Sequence, residues 1–389
     1  MPFERLSALQ PKLAEELGWQ LRNSELPRSI LFQGRRGTGR LTAALDLASA
    51  LSDKASVVYL ASRPFQSELR AAESLFLRQR NGKSRAFYIE TVRRILLQYH
   101  SCLAKEGKDP DDVKGRRKIE GKAEEKEKNL FERAAKVDEL LMELEGPGWE
   151  AKAESTVRQL SKRLDDTFLS FGRKTTGASI DDIRSVQEWL SSGLEEKCVI
   201  FENVEDCTEA AKNSLLKLLE EPHPHAHLIL VSAHPGRLLE TILSRVRKFS
   251  FPDVPPGRLN SFLRDQFFTH EDYQSFDDFF FRSGAESGES EEMTRNVEQY
   301  YNALRTGKAL SLEDEERIFA YLEKIKGYDQ FREYVLGRLE SDFRAGGLDN
   351  HRASRLYQAL SRLMERRDTY NMSVRYALDL ALREACDVN

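Results

Sequence analysis

Three stretches of the chain carry residues whose types and spacing suit phosphate chemistry. The first is Gly34-Arg35-Arg36-Gly37-Thr38-Gly39-Arg40-Leu41, which follows the apolar run Ser29–Gln33 and precedes LTAALDLASAL, where apolar positions recur at helical spacing. Strand, glycine-rich turn and helix in that order point backbone N–H groups from a helix N-terminus at a phosphate. A working loop of this kind adds a lysine for the terminal phosphates and a Ser or Thr hydroxyl for magnesium. Here those positions hold Arg40 and Leu41. Arginine keeps the charge as a planar fork and leucine offers no metal ligand, so magnesium-nucleotide binding is expected to be weakened or lost. Thr42 falls one residue late, on another face of the helix. Two outcomes stay open: glycines that only preserve a tight turn, or residual nucleotide binding through Gly34, Gly37, Thr38, Gly39 and Arg40.

The second stretch is Val199-Ile200-Phe201-Glu202-Asn203-Val204-Glu205, an apolar run ending in acids. A hydrolytic nucleotidase places there an Asp for magnesium and a Glu to activate water. Glu202 is followed by Asn203, and an amide accepts no proton from water, so the general base is missing. The third is Ser244-Arg245-Val246, which comes after LLETILS and before another strand-like run. In isolation such a pair reads as a surface arginine at a helix end. Its place in the order of elements is what gives it meaning.

Those elements are legible as an alternation. Strand-like runs at Ser29–Gln33, Ala55–Ala61, Lys197–Glu202, His227–Ser232 and Arg247–Phe251 are separated by helical patterns, including TEAAKNSLLKLLEE. That alternation predicts a parallel α/β sheet. Before the third run, Ala178–Leu194 reads as an amphipathic helix capped by Ser179 or Asp181. From about 101 to 165 the composition turns to dense charge of mixed sign, read as a solvated helical hairpin or coiled-coil-like insertion. Asp253–Gly257 reads as a linker, because its adjacent prolines exclude helix there. Beyond it every pattern is helical: 291–307, 311–343 and 350–385, with SGAESGESEE as a flexible break.

Composition bounds the reading. A chain of 389 residues suggests two or three domains at roughly 100–200 residues each. With 40% hydrophobic and 32% charged residues and only 12 prolines, helix-rich packing is expected rather than disorder. The 60 Lys and Arg against 64 Asp and Glu leave a net charge of -4, so no global positive field marks a nucleic-acid binder. Cys102, Cys198, Cys207 and Cys386 form no CxxC pair, which excludes a zinc site or disulfide framework and leaves ordinary reduced thiols. Met1–Leu21 has no apolar signal core and the chain has no apolar run of spanning length, so a cytoplasmic protein without membrane contact is expected.

Taken together, LPRSILFQGRRGTGR, ASIDDIRSVQ and VIFENVEDCTEAAKNSLLKLLEEPHPHAHLILVSAHPGRLLETILSRVRKFSF resemble the bacterial DNA polymerase III clamp-loader subunits of the AAA+ class. The most specific piece runs from Asn213 to Arg245, and the resemblance covers Leu26–Leu45 and Ser179–Phe251. Motor subunits of that family, gamma and tau, have a Lys-Thr loop, an Asp-Glu strand end and usually a four-cysteine zinc module. This chain departs from all three, which places it nearest the delta-prime branch, whose members resemble a motor without hydrolysing ATP. The resemblance implies that Arg245 matches the arginine of the Ser-Arg-Cys motif, with Val246 in place of the cysteine, and points into a neighbouring subunit's ATP site. Ser232 falls where the family senses nucleotide, although the residues that would work with it are absent.

The resemblance further implies an α/β AAA+ domain at 1–252 carrying the insertion at about 101–165, a small helical lid at 253–292, and an all-α collar at 293–389 that oligomerises. The function implied is that of a delta-prime-like subunit with no required cofactor. It would organise the loader with gamma/tau ATPase subunits and delta, donate Arg245 to ATP bound next door, and so help load the sliding clamp on primed DNA. Two alternatives stay open: an atypical ATPase active by itself, with Glu202 and Glu205 sharing one ion, or a gamma/tau-like motor. A weaker third reading, DNA binding through the Lys114–Lys118 cluster, is opposed by Asp109, Asp111 and Asp112 beside it.

Overall fold

The computed structural model describes residues 3–53, 56–61, 66–103, 134–164, 178–284, 289–325, 328–370 and 374–386. The acid- and base-rich stretch with Lys114–Lys118 lies outside them. The chain divides into two compact units, Met1–Phe279 and Phe280–Asn389.

In the first unit α1 (Glu4–Leu9) and α2 (Pro11–Arg22) lead into β1 (Ser29–Gln33), α3 (Arg40–Leu51) and β2 (Val57–Leu60). Then come α4 (Gln66–Gln79), α5 (Gly82–Leu96), α6 (134–145), α7 (Trp149–Leu164) and α8 (Ile180–Leu190). The rest of the sheet follows as β3 (Lys197–Glu202), α9 (Glu209–Glu220), β4 (Ala226–Ser232), α10 (Glu240–Leu243) and β5 (Arg247–Ser250). All pairings are parallel and the strand order is β2-β3-β4-β1-β5. This bears out the parallel α/β sheet expected from the alternation.

The strands are apolar runs because helices cover both faces of the sheet. Successive side chains point to opposite sides. Ile30, Phe32, Tyr59, Ile200 and Val231 therefore enter one core with α3–α5. Leu31, Val58, Val199, Phe201 and Leu230 enter a second core with α8 and α9. Strand β5, at one edge, is the exception, burying only Phe249, whereas β2 at the other edge is buried throughout. Helix α8 is capped by Ser179 rather than Asp181: its Oγ accepts from Asp182 N at 3.1 Å while Asp182 Oδ2 accepts from Ser179 N at 2.9 Å.

Two expectations are corrected. The insertion is not a solvated hairpin where it is described. Val137, Leu141 and Leu144 of α6 and Trp149, Val157, Leu160 and Leu164 of α7 are buried in the same core as α3–α5. Phe76 of α4 holds the joint, with Tyr88 at 5.6 Å and Trp149 at 5.5 Å between ring centroids. Charged residues occupy the outer faces, and their density hid an apolar stripe sufficient for burial. Nor does the proline pair exclude a helix: Pro256 opens α11 (Pro256–Phe267), with Pro255 as its N-cap. A proline in the first turn lacks only an N–H that has no helical acceptor anyway.

Residues 253–292, expected as a lid, contain α11 and α12 (Phe276–Gly284), and the division between the units falls inside α12. Helix α11 is fastened to the first unit by Lys83 Nζ to Asp265 O at 2.7 Å and by the Phe87–Phe267 ring contact at 4.9 Å.

Among the described residues the regular structure of the second unit is helical: α13 (Glu289–Thr306), α14 (Leu312–Ile325), α15 (Tyr328–Arg344), α16 (Asn350–Tyr370) and α17 (Val374–Cys386). The all-α C-terminal part expected from the patterns is present. It has its own core, around Tyr300, Leu322, Phe331, Leu360 and Leu382. Tyr300 Oη donates to Leu378 O at 2.8 Å, and Tyr301 Oη to Asp342 Oδ2 at 2.7 Å. Among the described residues no helix is long and apolar enough to cross a membrane.

Candidate functional site

Parallel pairing brings the ends of β3, β4 and β1 to one edge of the sheet: Glu202 is level with Val231, and Gln33 with Ser232. The glycine loop leaves β1 there, and Gly34 N donates to Ser232 O at 3.3 Å. The carboxyl edge of an open α/β sheet is the usual position for a ligand.

The loop glycines are demanded by geometry. A Cβ on Gly34 would stand 2.3 Å from Phe251 O, and Gly39, with φ +92°, precedes α3 directly. Thr38 is buried and its Oγ1 donates to Arg35 O at 2.8 Å, closing the turn on itself. The buried amide of Gln10 donates from Nε2 to Pro252 O at 2.6 Å and to Thr38 O at 3.4 Å, tying the loop to the end of β1's neighbour. Arg40 is buried as the first residue of α3, while Leu41 packs against the apolar core. Two cations on the loop are met by acids from later in the chain. Arg35 lies 3.5 Å from Asp253, and Arg36 lies 3.7 Å from Asp277. Neither acid was singled out from sequence, since each meets its partner only through the fold.

The second stretch is built differently from what two acids on one ion require. Glu202 accepts a hydrogen bond from Tyr59 Oη. Glu205 is buried, and its Oε1 accepts from the backbone N–H of Ala233 at 2.8 Å and of His234 at 3.0 Å. It joins the turn after β3 to the end of β4. Asn203 adopts the left-handed conformation, φ 52°, which asparagine tolerates better than most residues. Among the described residues no group of three or more His, Cys, Asp and Glu is placed to hold a metal ion. Ser232 is fully buried and its Oγ has no hydrogen-bond partner.

The fold gathers Gly34–Arg40, Glu202, Asn203 and Ser232 at that edge and sends Arg245 elsewhere. Strand β5 starts level with Ile30, near the amino end of β1, and Arg245 precedes it by two residues. From that level to Gly34 is about 13 Å along the strand, at about 3.3 Å per residue. Arg245 Nη1 donates to Thr241 O at 2.8 Å and Ser244 Oγ at 3.3 Å, and Nη2 donates to Glu220 Oε1 at 2.7 Å. The side chain is 34% exposed. Glu220 ends α9, inside the LLEE of the stretch that carried the resemblance, so a signal for it was present without a reason to choose it.

The sheet order and its glycine loop define an α/β domain with a P-loop-like turn after β1. Residues 122–255 match the family described as DNA polymerase III, delta subunit. The delta-prime subunit of DNA polymerase III from Bacillus subtilis is 38% identical over 87 residues, covering 22% of this chain and 26% of that protein. The tau subunit of the same organism is 34% identical over 88 residues, covering 22% of this chain and 16% of its own length. The delta-prime subunit from Haemophilus influenzae is 38% identical over 69 residues, 17% of this chain and 21% of that protein. The matches thus span about a quarter or less of these relatives. A solved DNA polymerase III gamma subunit-related protein from Thermotoga maritima aligns with 59% of this chain and 90% of its own, at 18% identity and a TM-score of 0.31. Through part of its α/β unit the chain is similar to subunits of bacterial DNA polymerase III.

Proposed function

We propose that the chain is a delta-prime-like subunit of a bacterial DNA polymerase III clamp loader, one that hydrolyses no ATP itself and donates Arg245 to ATP held by a neighbouring subunit. One observation carries the reading: Arg245 stands toward the amino ends of the strands, remote from its own glycine loop, with its guanidinium partly exposed. An arginine so placed serves an adjoining molecule, where a fixed cation stabilises charge developing on the transferring phosphoryl group. The chain's own loop fits magnesium-nucleotide poorly. Leu41 offers no oxygen at the metal position, and two of the loop's cations, Arg35 and Arg36, face Asp253 and Asp277. In this reading it needs no cofactor, and its partners are gamma/tau ATPase subunits and delta, with the sliding clamp and primed DNA reached through the complex in the cytoplasm.

The test is the ATPase rate of the cognate motor with delta, clamp and primed DNA, in the presence of this chain or its Arg245→Ala variant. A loss on the order of 10³-fold in rate, the lower end for arginine fingers, with assembly on a sizing column unchanged, is the expected outcome. An equal rate would leave a scaffold without a finger.

The similarity to tau favours one rival, a gamma/tau-like motor. The other rival, a stand-alone ATPase using Glu202 and Glu205, has the geometry against it, since Glu205 is engaged with two backbone amides. Calorimetric titration of the chain with ATP and magnesium decides both. Micromolar binding with turnover would replace the proposal by an active ATPase.

A further inference from the structure

We infer that Glu220 is the positioning residue for Arg245, fixing the guanidinium while leaving donors for a phosphate oxygen. The inference rests on the proposed role of Arg245 and deepens it. A guanidinium has five N–H donors in a rigid plane. Nη1 spends its two on Thr241 O and Ser244 Oγ, both within four residues of Arg245. Nη2 spends one on Glu220 Oε1 at 2.7 Å, across 25 residues of chain. What remains is Nε–H, with no partner among the hydrogen bonds of Arg245, and the second hydrogen of Nη2, donors that a phosphate oxygen accepts.

The local contacts alone leave the plane of the fork free to swing. Thr241 and Ser244 belong to the same short turn as Arg245, whereas Glu220 comes from the end of α9 and supplies a second, independent anchor. The pair is too exposed to contribute much stability, with side chains 34% and 48% exposed. Its consequence is orientation, and orientation governs how well a charge placed in advance serves a transition state.

The experiment compares wild type, Glu220→Ala, Glu220→Gln, Arg245→Ala and the double variant E220A/R245A in the reconstituted loader, measuring kcat and KM for ATP of the motor. Each variant is first checked for assembly on a sizing column. Glu220→Ala is expected to lower kcat by up to about 100-fold, as a misplaced group does, with KM unchanged. Glu220→Gln, which keeps the Oε1 acceptor, should recover most of the rate. The double variant should be no slower than Arg245→Ala, because Glu220 acts only through the arginine. A rate unmoved by Arg245→Ala overturns the finger and this role together. A rate lowered by Arg245→Ala but unmoved or raised by Glu220→Ala overturns the positioning role alone. Further loss in the double variant would mean that Glu220 acts by another route.

Discussion

Gly34 accepts no side chain. Its would-be Cβ meets a backbone oxygen, Phe251 O, at 2.3 Å, and neither atom is at the end of a flexible group. Gly34→Ala is therefore expected to destabilise the first unit by about 1–3 kcal/mol, the range for strained backbone at a crowded site. Urea denaturation followed by tryptophan fluorescence checks this, and an unchanged midpoint would show that strand and loop can separate at no cost. The same residue shows what a sequence can reveal of a site. Glycine spacing, Arg40 and Leu41 were readable because the loop's demands are local, within eight consecutive positions. The partners were not. Tyr59 reaches Glu202 across 143 residues, Glu205 reaches Ala233 across 28, and Glu220 reaches Arg245 across 25. No periodicity links such pairs, and each carboxylate taken alone reads as a solvated acid or a metal ligand.

Among the elements, the strands were readable for the opposite reason. A strand covered on both faces must be apolar along its middle, and β1 to β4 satisfy this, with polar residues only toward their ends, while β5 buries Phe249 alone. Helices α6 and α7 were misread because their charge count outweighed their apolar stripe, although Val157, Leu160 and Leu164 are all fully buried. Leu160→Ala should cost about 2–5 kcal/mol, as truncation in a packed core does, and should lower the transition of the first unit as a whole. A solvated hairpin would show almost no effect in the same calorimetric scan. Pro256 marks a finer limit: a proline pair announces a boundary but leaves open whether the second residue closes one element or opens the next.

At the scale of the molecule, two units with separate cores make up the chain. The first carries a charge cluster near the amino ends of its strands. Arg28 Nη1 donates to Glu196 Oε2 at 2.6 Å, with His227 Nε2 3.0 Å and His225 Nδ1 3.4 Å from the same carboxylate group. Burial, helped by the charge on Arg28, holds the His227 imidazole below its ordinary value of 6.5. The hydrogen bond from Arg28 holds the Glu196 carboxyl below its ordinary value of 4.5. For both groups the folded protein binds protons less readily than the unfolded chain. Stability is then fully present above 6.5 and is lost as pH falls, first through the histidine's range and then through the carboxylate's. Urea midpoints measured from pH 8 to 5 should decline for the wild type and stay flatter for His227→Gln. Parallel profiles would remove the histidine from the account.

The place of β1 has a consequence for how the chain is made. This strand, complete by Gln33, lies between β4 and β5, whose residues come about two hundred positions later. At about 5–20 residues per second of synthesis, roughly 10–40 s pass before either neighbour leaves the ribosome. During that interval Ile30, Leu31 and Phe32 form an apolar ribbon with both hydrogen-bonding edges bare, a template for any passing strand. The helices α4 to α7, whose contacts are closer in sequence, can assemble meanwhile. A nascent chain of this kind is a natural client for a chaperone that shields short apolar segments, and the sheet closes from its edge inward only near the end of translation of the first unit.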